Sequence, residues 1–294
     1  MKVCVLSSGS KGNTTYIESD NAKILIDVGN SAKYVKEKLE DIGTEPEDID
    51  AVLITHTHVD HVKGLKVFVK KYSASIYVTD IMLKSLDFID NYNILSDEFD
   101  IKDIHVTAIK TSHDAPDSRG YIITSGNKSV VYITDTGYIN KKYFDVLKNR
   151  DLYIMESNHD IEMLNNGSYP FTLRQRILSD KGHLSNYDSA KYLSSFIGNN
   201  TKCIMLAHLS EDNNTEELAY ETLVSRLKKE NIDIVDVLYE DEEGVKNLYI
   251  IIDKKPYVDI DTCVLATNIV NPILDEADLI EESYVLNVCS KGGE

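Results

Sequence analysis

The sequence predicts an α+β fold in which two β-sheets are covered by helices. Strand-like and helix-like segments alternate irregularly along the 294 residues, and the stretch from Phe99 to Thr136 is almost entirely strand-like. Regular alternation of one strand with one helix would instead predict a single doubly wound parallel sheet. Because a domain usually has about 100–200 residues, the length allows one large domain or two small ones.

Short apolar runs predict the strands, and several of them end in polar residues. In chain order these runs are VCVL (3–6), YIES (16–19), KILI (23–26), IDAVLIT (49–55), SIYVT (75–79), LYIMES (152–157) and CIMLAHL (203–209). Between them, YIITSGNKSVVYIT (121–134) predicts a hairpin, because Ser-Gly-Asn-Lys is typical of a tight turn.

Apolar residues spaced three and four positions apart predict the helices. In chain order these are SAKYVKEKLEDIG (31–43), VKGLKVFVKKY (62–72), residues 81–92, SNYDSAKYLSSFIG (185–198) and TEELAYETLVSRLKKEN (215–231). Ser31 is the expected N-cap of the first helix, and Gly43 is expected to end it.

The C-terminal part of the chain differs in composition from the rest. From Asp253 onward it is acidic and carries only short apolar pieces such as TCVLAT and SYVLNVC. We therefore predict a core domain over residues 1–252 and an acidic C-terminal appendage over residues 253–294. Such an appendage leaves open a partner-binding role or a homodimer.

Charge and cysteine content limit the compartment and the partners. The net charge of −18 gives no general attraction to phosphate backbones, so a nucleic-acid substrate requires a local basic patch or bound cations. The four cysteines form no close pair, and we expect reduced thiols. No apolar run of about 20 residues predicts a membrane helix, and no signal peptide is recognisable. We expect a cytoplasmic protein without membrane contact.

A cluster of histidines follows directly on the strand IDAVLIT. The sequence HTHVDH places His56, His58, Asp60 and His61 within six residues, and these side-chain types are ligands for Zn²⁺ and similar ions. In an extended segment, His56 and His58 point to the same side and can bind one metal. If the chain then turns, Asp60 and His61 can face a second metal.

Six residues provide too few ligands for two ions, so further ligands are expected at other strand ends. His113 in TSHDA, Asp135 in ITDTG and His208 in LAHLS each follow an apolar, strand-like run. Polar residues where strands end commonly build functional sites.

These motifs resemble the metallo-β-lactamase-fold hydrolases, and most closely the YycJ (WalJ) group. Asp27, HTHVDH, His113, Asp135 and His208 occur in family order, and the motifs of that group extend over residues 1–250. The further motifs are SGSKGN, SHDA, ITDTGY, ESNHD, ILSDKGHLSN and LAHLSEDNN. The resemblance implies a four-layer αββα sandwich whose site lies at one edge between the two sheets.

The resemblance also implies a ligand set for two divalent ions, Zn²⁺ or Mn²⁺. His56, His58 and His113 hold the first ion, Asp60, His61 and His208 hold the second, and Asp135 bridges them. A hydroxide shared by the two ions would be the nucleophile on a phosphodiester. Asp60 and Asp135 thus serve catalysis as ligands, and His183 in GHLSN is expected to protonate the leaving oxygen.

For the substrate, the resemblance implies a 5′-to-3′ exonuclease acting on DNA, with RNA left open. The residue chemistry alone supports only phosphodiester hydrolysis, and the acidic charge favours the alternative of a small-molecule phosphodiesterase, for example one acting on a cyclic nucleotide.

Other polar residues are expected near this site. Asp27 is expected to brace the histidine loop, whereas Asn158 and His159 either brace ligands or contact substrate. The candidates for substrate binding are Ser10, Asn13, Arg174, Arg176, Lys181 and Asn213. The alternative interpretation of the three cations is a solvated basic face, and the alternative for Asn213 is a helix cap.

Overall fold

The computed structural model describes residues 1–228, 233–242, 245–253 and 284–290. The chain divides into two units, Met1–Ile133 and Thr134–Glu294, and each is described by itself. Within the described ranges, no helix has the length and apolar character that a membrane span requires.

The first unit contains ten strands and four α-helices within its described residues. The strands are β1 Lys2–Ser7, β2 Thr14–Glu18, β3 Lys23–Ile26, β4 Ala51–Leu53, β5 Ser75–Val78, β6 Tyr92–Ile94, β7 Glu98–Ile101, β8 Ile104–Lys110, β9 Arg119–Ser125 and β10 Lys128–Ile133. The helices are α1 Ala32–Asp41, α2 Val59–Val62, α3 Leu65–Lys71 and α4 Asp80–Leu83.

The strands of this unit form two groups. The first is a sheet in the order β1-β2-β3-β4-β5-β6, antiparallel from β1 to β3 and parallel from β3 to β6. The second is the antiparallel run β7 to β10. The predicted hairpin is confirmed, with Gly126 in the left-handed region that its turn requires (φ 57°).

Side chains and backbone join the two groups of strands close to the predicted histidine loop. The Tyr121 hydroxyl on β9 donates to the Ile54 carbonyl just after β4, over 2.5 Å. One residue further on, the Arg119 amide donates to the Thr55 carbonyl over 2.8 Å. The chain that leaves β4 is therefore held on β9 as it enters the HTHVDH segment.

The first helix agrees with its prediction, and two later ones do not. The Ser31 hydroxyl accepts from the Tyr34 amide, and Gly43 adopts φ 75° just after the helix. The predicted helix over 62–72 is split between α2 and α3 at Gly64, where a Cβ atom would lie 2.0 Å from the Asn30 carbonyl.

The predicted helix over 81–92 is wrong beyond its first turn. Only α4 forms, with the Thr79 hydroxyl capping it at the Met82 amide. Tyr92 instead begins β6, which pairs in parallel with β5. Edge pairing with β5 therefore outweighs the weak helical spacing of this segment.

The second unit contains five strands and five α-helices within its described residues. The strands are β11 Leu152–Glu156, β12 Cys203–Ala207, β13 Asp233–Glu242, β14 Val245–Asp253 and β15 Tyr284–Ser290. The helices are α5 Phe144–Leu147, α6 Ile161–Asn166, α7 Phe171–Ile177, α8 Asn186–Phe196 and α9 Glu216–Lys228. The strand order is β13-β14-β15-β12-β11, with β11 and β12 parallel.

The predicted appendage is described only in part. Strand β15 pairs antiparallel with β12 and parallel with β14, so this part of the appendage extends the sheet. The segment TCVLAT lies outside the described residues. The division between residues 1–252 and 253–294 stays a prediction.

Candidate metal centre

Three imidazoles of the first unit converge where β4 and β8 end. His56 and His58 follow β4, His113 follows β8, and donor atoms from all three lie within 4.8 Å of one another. His58 Nδ1 and His113 Nε2 are 3.3 Å apart. A tetrahedral ion with metal–nitrogen distances of about 2.0–2.1 Å separates its ligand nitrogens by about 3.3 Å. The donor set therefore fits a zinc-like divalent ion.

Thr55 and Asp27 orient the histidines of this loop. Asp27 is completely buried, and its two carboxylate oxygens accept from the Thr55 amide (2.8 Å) and the Thr55 hydroxyl (2.6 Å). His61 Nδ1 lies 2.7 Å from the same carboxylate, and His56 Nδ1 lies 3.1 Å from the Thr55 hydroxyl. With the Nδ1 atoms engaged, Nε2 is the ligand atom of both rings. Burial raises the pKa of Asp27, and the bonds from His61 and Thr55 oppose that shift.

Asp60 and His61 form a second pair of donors in the same unit. Asp60 Oδ2 and His61 Nε2 are 3.6 Å apart. The side-chain nitrogen of Asn13 (Nδ2) lies 3.0 Å from His61 Nε2 and 3.4 Å from Asp60 Oδ2. The side chain of Asn13, predicted to bind substrate, thus contacts two predicted metal ligands.

The loop before β2 is fastened to the histidine loop by backbone bonds. The Asn13 amide donates to the Asp60 carbonyl (2.7 Å), and the Gly29 amide donates to the Asn13 carbonyl (2.9 Å). A Cβ atom at Gly29 would lie 1.8 Å from the Asp60 carbonyl oxygen. Only glycine fits this approach. Ser10, in the same loop, is exposed.

A second group of donors lies in the second unit. Asp135, Glu156, His183 and His208 each offer a ligand atom within 4.8 Å of the others. His208 Nε2 is 3.5 Å from Asp135 Oδ1, and the rings of His183 and His208 are stacked with centroids 5.3 Å apart. Carboxylate and imidazole donors in this mixture suit a divalent transition metal.

Glu156 organises this group and was missed in the sequence. Its Oε1 accepts from His183 Nδ1 (2.7 Å) and His208 Nδ1 (3.0 Å), and Oε2 accepts from the amides of Thr136 (3.0 Å) and Leu184 (3.1 Å). Burial alone would raise the pKa of Glu156, but the charge of His183 and the hydrogen bonds from His183 and His208 outweigh it and lower the pKa to about 2. Conversely, Glu156 outweighs the effect of burial on His183 and raises its pKa.

Three of the predicted site residues have a backbone conformation that non-glycine residues seldom adopt. Asp27, Asp135 and His208 have φ values of 61°, 55° and 58°. Each follows or ends a strand, and the left-handed turn redirects the side chain from the strand. Such conformations concentrate at functional sites, where surrounding contacts maintain them.

The remaining predicted residues of the second unit take different positions. The side-chain NH₂ group of Asn158 donates to the backbone carbonyl of His208 (2.9 Å), which braces that ligand. His159 is buried, and neither ring nitrogen has a hydrogen-bond partner among the described residues; burial lowers its pKa to about 4. Asn213 is only 1% exposed, its side-chain oxygen faces Gly167, and neither Oδ1 nor Nδ2 has a hydrogen-bond partner among the described residues.

The predicted cations lie on or just after α7. Arg176 and Lys181 are exposed, whereas Arg174 is half-buried and donates to the Asn165 carbonyl. The loop from 178 to 183 returns to α7, because the His183 amide donates to the Ile177 carbonyl (3.0 Å).

Thr55, Asp114 and Glu156 were not among the predicted site residues. Asp114 Oδ1 lies 3.5 Å from His58 Nε2 and 3.4 Å from His113 Nε2. The available signal was positional, since Asp114 and Glu156 lie within the motifs SHDA and ESNHD and Thr55 directly precedes HTHVDH. The carboxylate of Glu156 ends an otherwise apolar strand, where a buried charge requires partners.

Comparison with known families gives two matches along the chain. Residues 22–200 match the beta-lactamase superfamily domain. Residues 223–294 match the RimP N-terminal domain, a match that begins within α9 and covers the whole predicted appendage.

Two curated relatives cover most of the chain. It is 39% identical over 246 residues to "Exodeoxyribonuclease WalJ" of Streptococcus pneumoniae, covering 79% of this chain and 90% of the relative. It is also 39% identical over 224 residues to "Exodeoxyribonuclease YycJ" of Bacillus anthracis, covering 73% and 84%.

Among solved structures, the metallo-beta-lactamase fold protein YhfI from Bacillus subtilis matches with a TM-score of 0.60 at 18% identity, covering 77% of this chain and 92% of that one. This similarity shows a shared fold and confirms the predicted α+β sandwich.

Proposed function

The chain belongs to the YycJ (WalJ) family of metallo-β-lactamase-fold hydrolases, and from this membership we propose that it degrades DNA from the 5′ end. The family and the two donor clusters make it a metal-dependent nuclease. The choice of DNA and the 5′-to-3′ polarity are the finer part of the proposal. The observation that carries it is the convergence of histidine and carboxylate donors at strand ends in a chain 39% identical to a named exodeoxyribonuclease.

We propose two divalent ions per chain, Zn²⁺ or Mn²⁺, held by the seven ligands that the family resemblance assigns. When bound, such ions lower the pKa of coordinated water from 15.7 towards about 7 and stabilise charge that develops on the phosphoryl oxygens. The chain contributes the orientation: Thr55 and Asp27 engage the Nδ1 atoms of His56 and His61. This leaves Nε2 to bind.

His183 is the residue proposed to protonate the leaving oxygen. Its Nδ1 donates to Glu156 over 2.7 Å, so that the ring orientation is fixed and Nε2 is the atom from which a proton can be given. His208 shares the same carboxylate oxygen through its own Nδ1. Glu156 therefore sets the orientation of a ligand and of the proposed acid together.

The test is cleavage of labelled strands by metal-loaded protein. DNA and RNA oligonucleotides carrying a 5′ or a 3′ label are incubated with Mn²⁺ or Zn²⁺, with the Asp135→Ala variant as the control. We expect DNA cleavage that requires metal, with mononucleotides released first from the 5′-labelled end. Release from the 3′ end, or faster cleavage of RNA, would overturn the finer proposal.

The net charge of −18 favours one alternative, a small-molecule phosphodiesterase. Hydrolysis of a cyclic nucleotide without cleavage of any strand would support it and contradict the nuclease.

The compartment and the assembly are further parts of the proposal. We propose that the enzyme acts in the cytoplasm, and that residues 253–294 support a homodimer. Light scattering on the full chain and on a chain ending at 252 tests the second point. An unchanged mass would refute the dimer role of the appendage.

A further inference from the structure

Two of the four cysteines lie directly opposite each other on neighbouring strands of the second unit. Cys203 begins β12, and its register partner on the antiparallel strand β15 is Cys289. Strand β15 belongs to the predicted appendage, so the pair brings together the core sheet and the C-terminal part of the chain. The two residues are far apart in the sequence, and no local pattern indicates that they meet.

The backbone arrangement of this pair suits a disulfide bond. Residues directly opposite each other on antiparallel strands lie on the same face of the sheet, with Cα atoms about 4.5–5.5 Å apart. A disulfide usually joins residues whose Cα atoms are about 4.4–6.8 Å apart. Cys203 is a partly exposed free thiol, so a small oxidant can reach it. The register therefore allows a bond between the two cysteines without a rearrangement of the strands.

The pairing of β15 with the core sheet is short. β15 pairs with β14 along its whole length, from Tyr284 to Ser290. Within the described residues, its register with β12 has two positions, Cys203 with Cys289 and Ile204 with Val288. Segments held by few backbone bonds open locally at a low free energy. A covalent bond between the cysteines would close the join at which β15 meets the core sheet.

The cysteine pair is separated from the candidate metal centre by the length of β12. This strand runs from Cys203 to Ala207, about 13 Å at about 3.3 Å per residue, and His208 follows its other end. Oxidation of the pair therefore does not consume a proposed metal ligand.

From this register we propose that Cys203 and Cys289 form a reversible disulfide that fastens β15 to the core sheet, with a low-molecular-weight disulfide such as oxidised glutathione as the oxidant. The pair is then a site of thiol modification that responds to the balance of thiols and disulfides around the protein. This inference goes beyond the proposed nuclease activity and does not depend on it.

The reaction is thiol–disulfide exchange in two steps. The thiolate of one cysteine attacks a sulfur of oxidised glutathione, and a mixed disulfide forms as the first glutathione thiolate leaves. The thiolate of the other cysteine then attacks the protein sulfur of that mixed disulfide, and the second glutathione thiolate leaves. The two leaving thiolates take up the two protons that the cysteines lost. The cysteines lose two electrons in total, which reduce one oxidised glutathione to two reduced ones.

The experiment equilibrates the full chain with set ratios of oxidised to reduced glutathione, alkylates the remaining thiols and identifies the products by mass spectrometry. Trypsin leaves Cys263 and Cys289 on one peptide, because no Lys or Arg lies between them, so the digest is made on the Cys263→Ser chain. We expect a cross-link between the peptides of Cys203 and Cys289, an alkylated Cys4, and loss of the cross-link after treatment with dithiothreitol.

Serine variants show whether the two cysteines react as a pair. In Cys289→Ser the second step is impossible, so we expect Cys203 to retain one glutathione as a mixed disulfide. In Cys203→Ser we expect the glutathione on Cys289. Cys4→Ser changes a cysteine on β1 and is the matched control, which is expected to form the same cross-link as its parent chain.

Urea unfolding of the oxidised and the reduced chain tests whether the bond fastens the folded structure. A disulfide typically lowers the equilibrium constant for unfolding by about 30- to 900-fold, and long closed loops such as this one gain the most in the chain-entropy model. We expect this difference between the oxidised and reduced forms of the parent chain and of Cys4→Ser. We expect no such difference for Cys289→Ser.

Several results would overturn the inference while leaving the nuclease proposal intact. These are a parent chain that stays reduced in oxidised glutathione, one that keeps glutathione on Cys203 without a cross-link, and a cross-link to a different cysteine. A disulfide between two chains, seen as a dimer on a non-reducing gel, would also overturn it. A cross-link between Cys203 and Cys289 that leaves the unfolding equilibrium unchanged would show that the bond does not fasten β15, and would refute the proposed role.

Discussion

Replacement of Glu156 by glutamine tests the charge of a side chain that holds the second donor group together. The carboxylate accepts four hydrogen bonds, two from imidazole Nδ1 atoms and two from backbone amides. A glutamine of the same shape has one accepting oxygen and one donating NH₂ group. In either orientation, the NH₂ group faces two donors that it cannot accept from.

The expected loss of unfolding free energy follows from the number of donors left without an acceptor. Leaving a buried donor unsatisfied costs about 1–3 kcal/mol, so two of them cost about 2–6 kcal/mol of unfolding free energy. If the NH₂ group instead turns towards the imidazoles, His183 and His208 must move their protons to Nε2, which removes His208 as a ligand. We therefore expect Glu156→Gln to lose stability, metal binding or both.

Urea unfolding of protein treated with a chelator measures the change in stability without a contribution from bound metal. Metal analysis of dialysed protein measures the change in metal binding. Glu162→Gln, on the exposed surface of α6, is the matched control and is expected to shift unfolding by less than about 0.5 kcal/mol. Wild-type stability together with wild-type metal content in Glu156→Gln would refute this reasoning.

Three further predictions follow from individual contacts. Thr55→Val removes the hydroxyl that bonds Asp27 and His56 and is expected to weaken metal binding by about 10- to 100-fold in a competition titration; Thr55→Ser should retain it. Lys181→Gln is expected to reduce the salt slope of single-strand binding by about 0.7, and an unchanged slope would remove Lys181 from the phosphate contacts. Gly29→Ala places a methyl group against the Asp60 carbonyl and is expected to cost about 1–3 kcal/mol in urea unfolding, whereas unchanged stability would contradict the close approach of these loops.

The sequence predicted those parts of the fold in which local pattern and burial agree. The helix after Ser31 and the strands ending near Asp27, Thr55 and Glu156 carry both a strong apolar pattern and clear end signals. The segment 81–92 was predicted wrongly because its helical spacing was weak and its end pairs with β5. Such pairing is set by a distant strand and is invisible in a local window.

The candidate site was predicted unevenly for a similar reason. His56, His58 and His113 were found because histidines at strand ends are chemically distinctive, and the structure brings them within ligand distance. Glu156 and Thr55 were missed because their importance lies in the partners they meet across 27 or more residues, or through a hydroxyl on a buried carboxylate. Neither of these contacts can be predicted from the residue type alone.

The most direct test of the central claim is a titration of metal-free protein with Mn²⁺, in which bound ions per chain and the rate of nucleotide release from 5′-labelled DNA are measured on the same samples. We expect no release without metal and a rate that rises to saturation as two ions bind per chain. We also expect His113→Ala and His208→Ala each to bind fewer ions and to lose activity. Full activity in the presence of a chelator, or full metal content and activity in both variants, would contradict the proposal of a metal-dependent nuclease with two ions.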